Sequence, residues 1–118
     1  MINNKYYDEF EGEPKLVFFN DCHKYIIWNG YFEIILDSLL DTELEKEGIL
    51  KEYFNHEGWY DDSPWMIPDI SLTIRQLKQF DLNKVEQSEN IKGILPELVQ
   101  EIIKFIESSS ERVWIEYD

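Results

Sequence analysis

The segment KLVFFNDCHKYIIWN, residues 15–29, sets the tightest limit on what this chain can fold into. Two short runs rich in β-branched and aromatic residues flank the polar Asp21-Cys22-His23, a composition that suits two strands joined by a hairpin turn. A third run, RVWIEYD at 112–118, alternates Val113, Ile115 and Tyr117 against Trp114 and Glu116, the period of a strand. The terminal run is expected to pair with the two near the N-terminus. Such a small sheet needs helices on one face to bury its apolar side.

The stretch NGYFEIILDSLLD that follows carries two signals. Asn-Gly between apolar runs favours a hairpin, which keeps a hairpin open across 26–40. Phe32, Ile35, Leu36, Leu39 and Leu40 recur at helical spacing, which predicts a helix over 31–40. Asn29 or Gly30 would cap it, with Glu33 near the positive end of its dipole. A shorter helix is expected through ELEKEGILKEYFN, capped by Asp41 or Thr42, weakened by Gly48, with Leu44, Ile49, Tyr53 and Phe54 turned inward. Residues 55–69 read as a loop holding Gly58, Pro64 and Pro68. Asp69 or Ser71 then opens a helix carrying Ile70, Ile74 and Leu77, with Phe80 near its end.

DLNKVEQSENIKG, 81–93, is polar and expected to be irregular apart from one helical turn. Pro96 suits a first helical turn, so the most strongly patterned helix is placed at 95–108. Leu98, Val99, Ile102, Ile103, Phe105 and Ile106 form its wide apolar face, and the serines at 108–110 stop it. The expected class is α+β: one domain, 1–118, with a small mainly antiparallel sheet packed by three to four helices. Hydrophobic residues make up 43% of the chain, enough for a core without disulfide or metal. A chain of this length buries about two-thirds of its unfolded surface.

Twenty-five acids against eleven bases leave a net charge of -14. The imbalance is uneven: residues 1–62 hold fifteen acids and five bases, residues 63–118 ten and six. Direct nucleic-acid binding is disfavoured, because phosphate affinity comes largely from Lys and Arg, and anionic membranes are disfavoured for the same reason. What remains is a basic protein partner or a solvated surface. The single Cys22 cannot form an internal disulfide, in keeping with a reducing cytoplasm. The start MINNKYYDEF lacks a basic, apolar leader, and no apolar run approaches the roughly 20 residues of a membrane span.

No catalytic, cofactor or metal signature stands out. Cys22 and His23 are neighbours in sequence, but a thiolate needs its base within reach and a surrounding that lowers its pKa, whereas this neighbourhood is acidic. HEGWYDD lacks the second histidine of a zinc-binding H-E-x-x-H helix, and DDSPWMIPD lacks the spacing of a calcium loop. Twenty-five acids make some close carboxylate pair inevitable, so proximity alone carries no catalytic meaning. The chain is therefore expected not to be an enzyme.

Two stretches mix rings with carboxylates. NHEGWYDDSPW, 55–65, offers Glu57, Trp59, Tyr60, Asp61 and Asp62; YYDEFEGE, 6–13, offers Tyr7, Asp8, Glu9 and Glu11. Interface hot spots favour Trp and Tyr, and nearby carboxylates steer a basic partner and accept bidentate bonds from Arg. The competing assignments are a tryptophan plug inside the fold for the first stretch and a solvated strand edge or frayed terminus for the second.

KYIIWNGYFEIILDSLL, NHEGWYDDSPWMIPD and RVWIEYD together resemble the small cognate immunity proteins of bacterial toxin–immunity systems, including contact-dependent growth inhibition and related polymorphic toxins. The resemblance implies a cytoplasmic α+β protein that binds a cognate, basic, nuclease-type toxin domain and occludes it without chemistry of its own. A general acidic adaptor would use the same surface, and a small-molecule enzyme would instead need a deep pocket with convergent polar groups.

Overall fold

Leu16 and Phe18 alternate with Lys15, Val17 and Phe19 along a strand whose inward side chains are fully buried. In a computed structural model, the structure describes residues 2–10, 12–40, 49, 64–67, 69–109 and 112–117, with only the backbone of Ile2, Asn4, Leu40 and Trp65. Strand β1 is Ile2–Tyr6, followed by a 3-10 turn at Asp8–Phe10; β2 is Lys15–Phe19 and β3 is Lys24–Trp28. Helix α1 is Asn29–Leu40, strand β4 is Trp65–Met66, and α2 is Ile70–Leu77. A second 3-10 turn, Leu82–Lys84, precedes α3 at Glu89–Ser108, and β5 is Trp114–Tyr117.

The strands form one mixed, mostly antiparallel sheet in the order β1-β3-β2-β5-β4. The β2–β3 hairpin pairs Lys15 with Trp28 through Phe19 with Lys24, and β5 lies antiparallel on the other side of β2. These are the three strands legible in the sequence. The two edge strands were not anticipated. INNKY is too polar to advertise itself, and β1 pairs parallel to β3 with only Tyr6 buried among the side chains described. Strand β4 spans two residues against β5.

Leu16, Phe18, Tyr25, Ile27 and Ile115 face a core closed by α1 and α3. Helix α1 contributes Phe32, Ile35, Leu36 and Leu39, and α3 contributes Leu98, Val99, Ile102, Ile103 and Ile106. The rings of Phe18 and Phe32 meet edge to face at 5.2 Å, fixing α1 on β2. The opposite sheet face carries a row formed by Lys24, Phe19, Trp114 and Met66 across four paired strands. Phe19 and Trp114 stack there at 6.4 Å, and Met66 is 43% exposed.

Three expectations need correction. First, Asn29 and Gly30 do not precede α1 as caps; the helix starts on Asn29 itself, straight from β3. The Asn29 backbone N–H donates to the Pro14 carbonyl at 3.1 Å, and its side-chain amide donates to Glu33 at 2.9 Å. Second, α3 begins at Glu89, not at 95, so part of the expected irregular stretch is helical. Ser88 caps it by accepting from Ile91 N–H, and the Ser88 carbonyl takes the Lys92 N–H. Third, Pro96 therefore lies inside the helix, on its exposed side, where solvent can reach the carbonyl that proline leaves without a donor. Asp69, not Ser71, caps α2 by accepting from Leu72 N–H at 3.0 Å.

The helix expected through 43–55, apart from Ile49 in the core, and residues 55–63 of the loop expected over 55–69 fall outside the described residues, whereas Trp65 and Met66 within that loop form β4 because they pair with β5. Among the described residues no helix is long and apolar enough to cross a membrane.

Candidate protein-binding site

Where β1 ends, the chain must turn through Asp8–Phe10 to enter β2. Phe10 N–H donates to the Tyr7 carbonyl at 2.8 Å, and Glu13 N–H donates to the Phe10 carbonyl at 2.9 Å. Gly12 takes φ of 89° in the second of these turns, a conformation that L side chains rarely adopt. The Tyr7 hydroxyl then donates to the Glu13 carbonyl at 2.7 Å, tying both ends of the excursion together. Tyr7 is thus half-buried and spends its hydroxyl within the turn.

Phe10 anchors this excursion. Its ring stacks on Trp28 with centroids 4.4 Å apart and planes within 2°, and Tyr31 meets both rings edge-on at 5.3 and 5.1 Å. Gly30 makes the arrangement possible, because a Cβ there would lie 2.5 Å from the Trp28 ring. The glycine of Asn29-Gly30 serves ring packing and not a hairpin.

Asp8, Glu9 and Glu13 are exposed around this trio, and among the described residues none of them forms an ion pair. The one ion pair there, Lys5 with Glu97 at 3.2 Å, lies elsewhere and is itself well exposed. Burial, with a further contribution from the negative charge of Glu9, raises the Tyr31 phenol above its ordinary pKa. Tyr31 therefore stays neutral near pH 7. The corner combines exposed carboxylates with the half-buried faces of Phe10 and Trp28, and Lys15 Nζ lies over the Tyr7 ring at 6.0 Å. Carboxylates accept bonds from Lys and Arg, and a tryptophan face attracts the same cations.

Of the nine residues expected to bind a partner, the structure brings Tyr7, Asp8 and Glu9 into this corner. Glu11, Glu57, Trp59, Tyr60, Asp61 and Asp62 lie outside the described residues. Phe10, Trp28 and Tyr31 were not singled out from sequence. Their signal was the glycine between two large rings in WNGY, which a helix with no need of close approach would not select. Cys22 is an exposed thiol on the hairpin turn, where Asn20 Oδ1 accepts from the backbone N–H of both Cys22 and His23. Among the described residues no three of His, Cys, Asp and Glu gather as a metal site.

The fold is an α+β domain with a distinctive sheet order. In comparisons with family models, curated proteins and solved structures, nothing matches the chain.

Proposed function

We propose that the chain is an immunity-type binding protein that neutralises a basic toxin domain in the cytoplasm by covering its active surface. The observation that carries this reading is the set of exposed carboxylates, Asp8, Glu9 and Glu13, unpaired among the described residues and set around the Phe10–Trp28 stack. Residues 41–63 add eight acids against two bases to the same chain. A nuclease-type toxin must be basic to hold its phosphate substrate, so an acidic surface competes directly for that site. Charge complementarity accelerates encounter, and desolvated aromatic anchors slow release. An interface of about 800 Å² per partner is the usual size for such a pairing.

No bond is made or broken in this mechanism; inhibition is occlusion. Coexpression with the product of the adjacent upstream gene tests it. The expected result is rescue of growth and co-purification of one dedicated basic partner. Toxicity without rescue, together with no co-purification, would refute the reading.

A further inference from the structure

Helix α3 is anchored unevenly along its 20 residues. Over 98–106 it buries Leu98, Val99, Ile102, Ile103 and Ile106 in the core. Over 89–95 only Leu95 is fully buried; Ile91 and Ile94 are half-buried, and Glu89, Asn90 and Gly93 are exposed. Most helical stability in a folded protein comes from packing an apolar face, so the first two turns are held by little.

The backbone weakens the same turns. A Cβ on Gly93 would meet nothing within 4 Å, so neither packing nor a positive φ calls for glycine there. Glycine in a helix interior destabilises it, because it has the most backbone freedom to lose. Three positions later Pro96 has no N–H to donate to the Lys92 carbonyl, so one bond tying these turns to the rest of α3 is missing. The cap is long as well: Ile91 N–H reaches Ser88 Oγ at 3.5 Å, against 3.0 Å for Leu72 N–H on Asp69 at the start of α2. Two clefts border the segment. One of about 350 Å³ is lined in part by Val85 and Gln87 of the approach, and one of about 270 Å³ by Pro96.

We propose that residues 89–95 open as one unit, hinged at Pro96, while 96–108 stay folded on the sheet. The hinge falls where a helical hydrogen bond is lost and the run of core anchors begins. Opening bares Ile91, Ile94 and Leu95, an apolar surface reached at a lower cost than global unfolding. This flap does not depend on the proposed toxin partner.

Native-state hydrogen exchange on the full chain, read by NMR and corrected for intrinsic rates, tests the proposal. Amides of Lys92, Ile94 and Leu95 are expected to exchange at least about a hundredfold faster than those of Ile102, Ile103 and Ile106. Gly93→Ala should slow Lys92, Ile94 and Leu95 by about fivefold, the usual effect of replacing an exposed helical glycine. Ile102→Val weakens the anchored half and should speed exchange at Ile103 and Ile106 by about two- to tenfold, leaving Lys92, Ile94 and Leu95 unchanged. Equal protection of the two halves, acceleration of both together in Ile102→Val, or no slowing in Gly93→Ala would each overturn the proposal.

Discussion

The two ends of β3 differ in charge balance. Trp28 closes the strand against Phe10 and Tyr31, surrounded by the carboxylates of Asp8, Glu9 and Glu13. Lys24 opens it next to the hairpin turn of Asp21 and His23, with Lys104 and Glu101 of α3 nearby. Four residue steps, about 13 Å of extended chain, separate the acidic corner from an end of mixed charge. The net charge of -14 is therefore not spread as a uniform coat.

The comparison rests on a shared platform, and the largest effect comes from removing it. Phe32→Ala leaves a cavity under Phe18 and should destabilise the fold by about 3–5 kcal/mol, seen as a lowered denaturant midpoint. Both ends of β3 should lose definition together. Gly30→Ala separates them. The added Cβ must displace the Trp28 ring, which is held by Phe10, so a loss of about 1–3 kcal/mol is expected together with altered tryptophan fluorescence. The Lys24 end should keep its amide shifts; if those move as much as the shifts at the acidic end, the two regions are not independent.

Alkaline pH probes the end at Tyr25. Burial, assisted by the neighbouring Tyr6, Glu101 and Glu97, raises the Tyr25 phenol well above its ordinary value near 10. The unfolded chain then releases this proton first, so the stabilisation is complete below pH 10 and drains away as pH rises beyond it. One such group contributes a slope of at most about 1.4 kcal/mol per pH unit. Tyr25→Phe should flatten the decline in chemical denaturation curves measured above pH 10; identical slopes would show that Tyr25 is not the group responsible. The smallest effect on stability belongs to Asp8→Lys with Glu9→Lys, expected within about 0.5 kcal/mol because both side chains are exposed. The same variant should slow association with a basic partner at low salt, and an unchanged association rate would remove this corner from the interface.

The parts of the fold that were legible share one property: their signal is local and repeated. The β2–β3 hairpin, the α1 face of Phe32, Ile35, Leu36 and Leu39, and the strand at Trp114–Tyr117 are all written as alternation or helical spacing within a few residues. Strand β1 was not, since its polar residues have little preference for extended backbone and the strand is held by pairing Ile2, Asn3 and Tyr6 with β3. Helix α3 was cut short because Pro96 mimics a helix start, while the real start lies in the Ser88 cap of a polar stretch.

The acidic corner was half legible. Asp8 and Glu9 stand out by composition, but Phe10 joins Trp28 only after the chain has turned through Gly12 and folded β2 onto β3. The contact at the other end was illegible, because Tyr25 and Phe105 lie eighty positions apart and meet only through packing of α3 on the sheet.

Charge separation along β3 can be measured on the free protein. Paramagnetic relaxation of amide protons by a cationic and an anionic soluble nitroxide reports the local potential residue by residue. The account predicts the strongest preference for the cationic probe at Asp8, Glu9 and Glu13, and the weakest at His23, Lys24 and Lys104. Equal preference at the two ends, or the reverse order, would contradict it.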